Sequence, residues 1–273
     1  MIEIPESVTV GRQATEILTG KRVSEVINAT SAHRFTWYNG DPEKYSDLLV
    51  GREIKAVNGY GAFIDILFDS EIHLLIGDGT NMRYYSPEDK MPVKFQLLVV
   101  FEDRGYLVFT VAMYGGIYAF QGRFDNPYYQ GSISKLSVSD NRFDETYFKN
   151  MIASLKKDIS VKALLATEQR IPGLGNGVLQ DILFNARIHP KRKVSTLNEI
   201  EKVQLFGAMK STIAEMIEGG GRNTEKDLFG IWGSYKMILS KNTYKLPCPR
   251  CGSSIVKEAY LGGSVYYCPQ CQK

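Results

Sequence analysis

The chain has 273 residues, of which 44% are hydrophobic and 23% charged, an ordinary globular composition. This length allows two domains and a small extra module, and no apolar run approaches a membrane span, so we expect no membrane partner. The net charge of +3 is unevenly divided. Residues 1–135 hold 13 Lys/Arg against 17 Asp/Glu (−4), whereas residues 136–273 hold 20 against 13 (+7). The second half is therefore the better candidate for contact with a polyanion.

The start of the chain predicts a short extended segment and then a helix. Pro5 ends the extended part and suits a first helical turn, and Glu6 favours the positive end of the helix dipole. Gly20 is placed to end the helix. The apolar residues of one helical face are Val10, Ala14, Ile17 and Leu18.

From about residue 22 to residue 123 the pattern changes to strands. Short β-branched or aromatic runs alternate with glycine and Asp/Asn turns, which predicts a β-sandwich or barrel. The runs are 53–57, 62–68, 71–76, 94–101 and 106–111. The aromatic segment His33–Tyr38 in this region has two interpretations. We favour a buried structural patch, and the alternative is an aromatic cluster beside a pocket. Residues 123–141, rich in serine with Asn126-Pro, predict a hinge.

Beyond the hinge the apolar period becomes helical. We expect helices around residues 148–155, at 161–167 capped by Ser160, at 178–186 and at 198–218. A glycine-rich turn, Arg170 to Gly177, precedes the third of these. Free backbone amides at such a helix start suit phosphate contact, although a turn of this kind is more often only a tight connection.

All four cysteines of the chain lie at its end, in two Cys-x-x-Cys pairs separated by sixteen residues. Such pairs direct four thiolates to one centre, which predicts one structural zinc ion held by Cys248, Cys251, Cys268 and Cys271. The alternatives are disulfides or redox cysteines, and the missing signal segment argues for the cytoplasm and zinc. The intervening residues predict a two-stranded ribbon turning at Gly262-Gly263.

Three segments at the start, middle and end of the chain carry a resemblance to a known family. They are Glu3-Ile-Pro-Glu6, the run from Gln169 to Asn176 with Asp181 to Pro190, and the four-cysteine ribbon. Together they resemble the formamidopyrimidine-DNA glycosylase / endonuclease VIII family. The resemblance implies an α+β multidomain fold. Its predicted parts are an N-terminal β-sandwich with a leading helix (residues 1–125), a hinge (126–141), a helix–two-turn–helix domain (142–240) and a zinc ribbon (241–273).

The resemblance also assigns candidate catalytic residues. The nucleophile of the family is an N-terminal proline whose amine forms a Schiff base with the sugar, and that position holds Ile2. A bulky second residue prevents removal of the initiator methionine, so the free amine belongs to Met1, one residue out of register. The reaction needs the two reacting atoms within about 3–3.5 Å of each other, so this displacement of the amine predicts a large loss of catalytic activity. The catalytic glutamate of the family aligns with Glu3, as a proton-transfer group, and Glu6 completes the candidate set.

The DNA contacts carry over unevenly. The phosphate-binding asparagine of the family aligns with Asn176, beside Gly175. Its intercalating arginine falls on Met113, an apolar wedge in this chain. The hairpin lysine falls on Ala62, and the ribbon arginine falls on Gly263. By this alignment the sequence retains the scaffold of the family and lacks several of its cationic DNA contacts.

We expect a monomeric, cytoplasmic base-excision repair protein that binds lesion-containing double-stranded DNA. The first hypothesis is a DNA N-glycosylase that removes oxidised bases, with strand cleavage (AP lyase activity) weakened by the changes at Ile2 and Ala62. The alternative is a catalytically inactive, zinc-containing DNA-binding protein that senses lesions or unusual DNA structure. A third hypothesis, a zinc-ribbon protein acting on RNA or protein, depends only on the ribbon.

Overall fold

Helix α1 (Ile4–Leu18) leads into the molecule and contacts both of its lobes. The structure, a computed structural model, describes residues 2–77 and 79–273. Glu3 precedes the helix in an extended conformation, and the Glu6 carboxylate accepts the Glu3 N–H at 3.1 Å, which satisfies one free amide of the first turn. Gly20, at φ +85°, follows the end of the helix. The predicted leading helix is confirmed and begins just before Pro5.

Nine strands form the two sheets of the N-terminal β-sandwich. In chain order they are β1 (Val23–Asn28), β2 (Thr36–Tyr38), β3 (Ile54–Tyr60), β4 (Phe63–Phe68), β5 (Ile72–Ile76), β6 (Thr80–Tyr85), β7 (Leu97–Phe101), β8 (Tyr106–Val111) and β9 (Gly115–Gln121). One sheet has the order β1-β7-β8-β6 and is antiparallel throughout. The other has the order β2-β9-β5-β4-β3, in which only β2 and β9 are parallel. The core between them is apolar, and α1 covers β3, so the predicted sandwich is confirmed.

The other helices lie mostly in the C-terminal half. They are α2 (Tyr45–Leu49), which belongs to the sandwich, then α3 (Pro127–Ser134), α4 (Glu145–Ala153), α5 (Val161–Ala166), α6 (Asn176–Ala186) and α7 (Glu199–Glu218). Helices α4 to α7 enclose a second apolar core, which also contains Ile4. The four predicted helices are present within a few residues, and Ser160 caps α5 through the Ala163 N–H.

The segment predicted as a hinge contains α3. Asn126 caps this helix by accepting the N–H groups of Tyr128 and Tyr129, and Pro127 takes the first helical position. The same Asn-Pro pair is also typical of a turn, which is why the sequence pattern missed the helix. Tyr129 in turn donates to buried Asp65 of β4 at 2.8 Å, so α3 is fastened to the sandwich.

The C-terminal ribbon consists of β10 (Val256–Tyr260) and β11 (Gly263–Tyr267), antiparallel around a turn that includes Gly262 at φ +74°. This agrees with the predicted hairpin. Elsewhere, Phe35 and Trp37 are both about half exposed, so the interpretation of this segment as a buried patch is wrong. None of the helices in the described part of the chain is both long and apolar enough to cross a bilayer.

Candidate functional site

The carboxylate of Glu3 lies on the N-terminus of α6. Its Oε1 accepts the Gly177 N–H at 2.9 Å, and its Oε2 accepts the Val178 N–H at 2.8 Å. The free amides and the positive dipole end of a helix stabilise an anion in this position. The glycines of the turn are required sterically, because a Cβ on Gly175 would lie 2.5 Å from the Glu3 Cδ. The amides after the glycine-rich turn therefore bind the Glu3 carboxylate of the protein itself.

Arg222 supplies the cation that neutralises this site. It follows the glycines at the end of α7 and is only 3% exposed. Its Nη1 lies 3.2 Å from the Glu3 Oε1, while its Nε and Nη2 donate to the two Glu6 oxygens at 2.9 and 2.7 Å. Burial opposes the charge of the guanidinium, but the carboxylates of Glu3 and Glu6 outweigh it and raise the Arg222 pKa. Glu6 therefore holds Arg222, and Arg222 faces Glu3.

A cleft of about 500 Å³ opens beside this network. Its lining includes Glu3, Asn176, Arg222 and Trp232. Trp232 belongs to residues 222–235, a loop that leaves α7 and crosses to the sandwich. The cleft is therefore lined by Glu3 at the chain start, the first turns of α6, the crossing loop and the segment before the ribbon.

The crossing loop is anchored on the sandwich. Leu228 is fully buried in the sandwich core, and its carbonyl accepts the Tyr84 N–H at 2.9 Å. Gln13 of α1 donates to Asp227 at 2.8 Å and accepts the Leu228 N–H at 3.1 Å. These contacts fix the position of the loop and leave Trp232 largely exposed at the cleft.

Asn176 lies where α6 meets the ribbon. Its Nδ2 donates to the Ser264 carbonyl of β11 at 2.8 Å, and its buried Oδ1 has no hydrogen-bond partner within residues 2–77 and 79–273. Gln180, one turn later, donates to the same carbonyl and accepts the Tyr266 N–H at 3.0 Å. A Cβ on Gly263 would lie 3.5 Å from the Asn176 amide. Asn176 thus positions the ribbon against the cleft, and phosphate contact by this residue stays a prediction.

The remaining predicted residues belong to the N-terminal part of the chain. Ile2 packs partly buried against the sandwich core and lines a small cavity with Glu6 and Thr80. Met1, the predicted carrier of the free amine, lies outside the described residues. Ala62 stands at the tip of the β3–β4 hairpin, and Met113 is exposed between β8 and β9. The catalytic and intercalating roles of these residues stay predictions.

The four cysteines form a metal centre. Their sulfur atoms all lie within 4.8 Å of one another, with Cys248 and Cys271 at 3.9 Å and Cys251 and Cys268 at 3.5 Å. A tetrahedral ion with Zn–S bonds near 2.3 Å needs sulfur atoms about 3.8 Å apart. The donor set fits one structural zinc ion, as predicted.

Comparisons with known proteins agree with this architecture. Residues 136–227 match the family model of the formamidopyrimidine-DNA glycosylase H2TH domain, and residues 245–273 match the zinc finger found in FPG and IleRS. The formamidopyrimidine-DNA glycosylases of Cytobacillus firmus and Brevibacillus brevis are 27% and 28% identical to this chain, covering 100% of it and 100% and 99% of their own lengths. These matches support the formamidopyrimidine-DNA glycosylase / endonuclease VIII family for this chain.

Solved structures of this family share the fold. The MutM (Fpg) protein of Thermus thermophilus superimposes with a TM-score of 0.79 at 23% identity, covering 99% of this chain and 98% of that one. The Lactococcus lactis Fpg, in a complex with DNA containing an abasic site, gives 0.82 at 21% identity and covers 99% of both chains. The predicted fold class is therefore confirmed.

Sequence reasoning missed one central residue of this site, Arg222. Its partners Glu3 and Glu6 lie more than 200 positions away, so no local spacing connects them. The only available signal was the run of three glycines before it, which frees the backbone to bring this arginine inward.

Proposed function

We propose that the protein is a base-excision repair DNA N-glycosylase, acting as a monomer, that removes oxidised bases from duplex DNA. The observation that carries this proposal is the buried Glu3 carboxylate, fixed by the α6 amides and Arg222 in the lining of the cleft. The relatives named formamidopyrimidine-DNA glycosylase align along the whole chain, which supports it. The damaged base must leave the stack to react, and the cleft offers the space to receive it.

In this mechanism Glu3 acts as a fixed proton acceptor. A carboxylate has about four acceptor sites, and three donors already approach the Glu3 oxygens, from Gly177, Val178 and Arg222. We infer that a water molecule in the cleft hydrogen-bonds to the same carboxylate. As water attacks the sugar C1′, its proton passes to Glu3, and the base leaves with the electrons of the glycosidic bond. The fixed donors keep this geometry during the reaction.

We further infer that base release proceeds without strand cleavage. The Ile2 side chain packs against the sandwich core, and Ala62 occupies the hairpin tip where the family resemblance expects a lysine. A Schiff base needs an unprotonated amine at the sugar, and the terminal amine of this sequence belongs to Met1, one residue out of register, while Ala62 has no amine. Water is then the nucleophile that the site retains.

The test uses duplexes that contain an oxidised purine or an oxidised pyrimidine. We expect release of the free base, no adduct on borohydride trapping, and loss of release in Glu3→Gln. Glu16→Gln, on the exposed face of the same helix, is the matched control and should behave as the wild type. A trapped adduct in the wild type would refute the water mechanism. Mass spectrometry of the amino terminus would then show which amine had reacted.

A second candidate, a catalytically silent lesion-binding protein, is favoured by one observation. Arg222 and two amides already engage the Glu3 carboxylate, which is 5% exposed, so Glu3 could serve only to hold the lobes together. This candidate requires duplex affinity that falls with salt and no base release from either lesion class. Retained binding of Glu3→Gln together with an inactive wild type would establish it.

A further inference from the structure

Four large apolar side chains are exposed together at one end of the sandwich. Phe35 is 49% exposed, Trp37 51%, Met113 62% and Tyr114 38%, and we call this set the aromatic platform. The rings of Trp37 and Tyr114 lie 6.0 Å apart. Scattered apolar residues on a surface need no explanation, but a contiguous group of this kind marks an interaction site.

The backbone holds the platform in place. Strand β2 runs parallel to the start of β9, and the Gly115 N–H donates to the Phe35 carbonyl at 3.0 Å. Thr80, which is buried, donates its hydroxyl to the Gly116 carbonyl at 3.0 Å. A Cβ on Gly79 would lie 1.8 Å from the Tyr114 carbonyl oxygen, so these two loops pack backbone against backbone. The platform is a preformed surface.

The backbone support of the platform borders a small cavity beside α1. Thr80, which fastens the platform, lines this cavity together with Ile2 and Glu6. On the other side of the platform the exposed Arg34 guanidinium lies 5.4 Å from the Phe35 ring centroid. Aromatic faces next to an arginine are the combination that single-stranded nucleic acid uses, because bases stack on the rings and the cation accompanies the phosphates.

We propose that the aromatic platform stacks on unpaired bases, so that the preferred substrate is a lesion in DNA that is already unstacked, as in a bubble or a single strand. This inference rests on the proposed function for DNA as the substrate. Stacking tolerates every base, whereas hydrogen-bond readout discriminates between bases. The position where the family resemblance expects an intercalating arginine holds Met113, so the platform does not select the base opposite the lesion.

The affinity test compares three DNAs of one sequence that carry an abasic-site analogue, in a full duplex, in a bubble and in a single strand. We expect the bubble to bind more tightly than the duplex, and affinity to vary less than about threefold among the four opposing bases. A duplex that binds as tightly as the bubble would contradict the preference. Trp37→Ala and Tyr114→Ala should each weaken binding to the bubble by about fivefold or more. Ile200→Ala, at an exposed apolar position of α7, is the matched control and should leave the affinity for the bubble unchanged.

A spectroscopic test detects stacking directly. The chain has two tryptophans, so Trp232→Phe leaves Trp37 as the only indole reporter. Stacking predicts quenching of Trp37 fluorescence on addition of the bubble DNA, at the same midpoint as binding. The stacking proposal would be wrong if the DNA bound tightly without quenching Trp37 and the alanine variants kept wild-type affinity. The proposed function would then stand unchanged. No affinity for any of the three DNAs would overturn both.

Discussion

Replacing Arg222 with methionine tests the charge network at the centre of the site. Methionine keeps most of the volume of the side chain but leaves the carboxylates of Glu3 and Glu6, both 5% exposed, without their cation. Removing one partner of a buried pair costs about 3–5 kcal/mol, because the remaining charge is neither solvated nor neutralised. We therefore expect the free energy of unfolding to fall by about 4 kcal/mol and the Tm to fall by roughly 10 °C.

The assay is urea denaturation followed by circular dichroism at constant zinc concentration, with two further variants. Glu6→Gln/Arg222→Met should regain part of the loss, since it removes one of the two uncompensated charges. Arg142→Met, which removes the cation of a solvent-exposed pair with Asp140, should leave the urea midpoint close to wild type. A loss below about 1 kcal/mol in Arg222→Met would refute the reasoning, because the carboxylates would then have to be solvated or protonated at little cost.

Three further outcomes follow from the same structure. Gly177→Ala should abolish base release and lower the Tm, because its Cβ would lie 1.8 Å from the Arg222 Nη1, whereas Gly131→Ala, with open space around the added Cβ, should not. Atomic absorption should find one zinc per chain, and chelation or Cys268→Ser should unfold the ribbon and weaken duplex binding, measured by fluorescence anisotropy. Burial raises the pKa of Asp181 to about 6 despite its amide donors. The folded state then binds more protons than the unfolded state between about pH 4 and pH 6, so stability should fall as the pH rises through that window. Asp181→Asn should remove this slope from the urea midpoints.

The features that the sequence predicted correctly have local signals. The Cys-x-x-Cys spacing indicated the metal site, and the apolar period of residues 199–218 indicated α7. The features that it missed depend on contacts between distant segments. Leu228 looks like an ordinary loop residue, yet it lies in the sandwich core. The exposure of Trp37 was missed for a related reason. Its aromatic neighbours in sequence suggested burial, whereas β2 is the edge strand of its sheet and Trp37 is about half exposed there.

The same few residues at the chain start contact both lobes of the molecule. The Ile4 side chain is buried in the helical core, and its N–H donates to the Gly173 carbonyl at 3.0 Å, while Ser7 donates to the Gly61 carbonyl of the hairpin at 2.7 Å. The next turns of α1 pack on the sandwich, with a Cβ on Gly59 only 2.2 Å from the Ser7 carbonyl. A change at Glu3 therefore alters the lobe interface as well as the proposed proton acceptor. For this reason the activity of Glu3→Gln is interpretable only when its urea midpoint is measured alongside. A loss of base release at an unchanged midpoint would assign Glu3 to the chemistry, and a parallel loss of both would assign it to holding the lobes together.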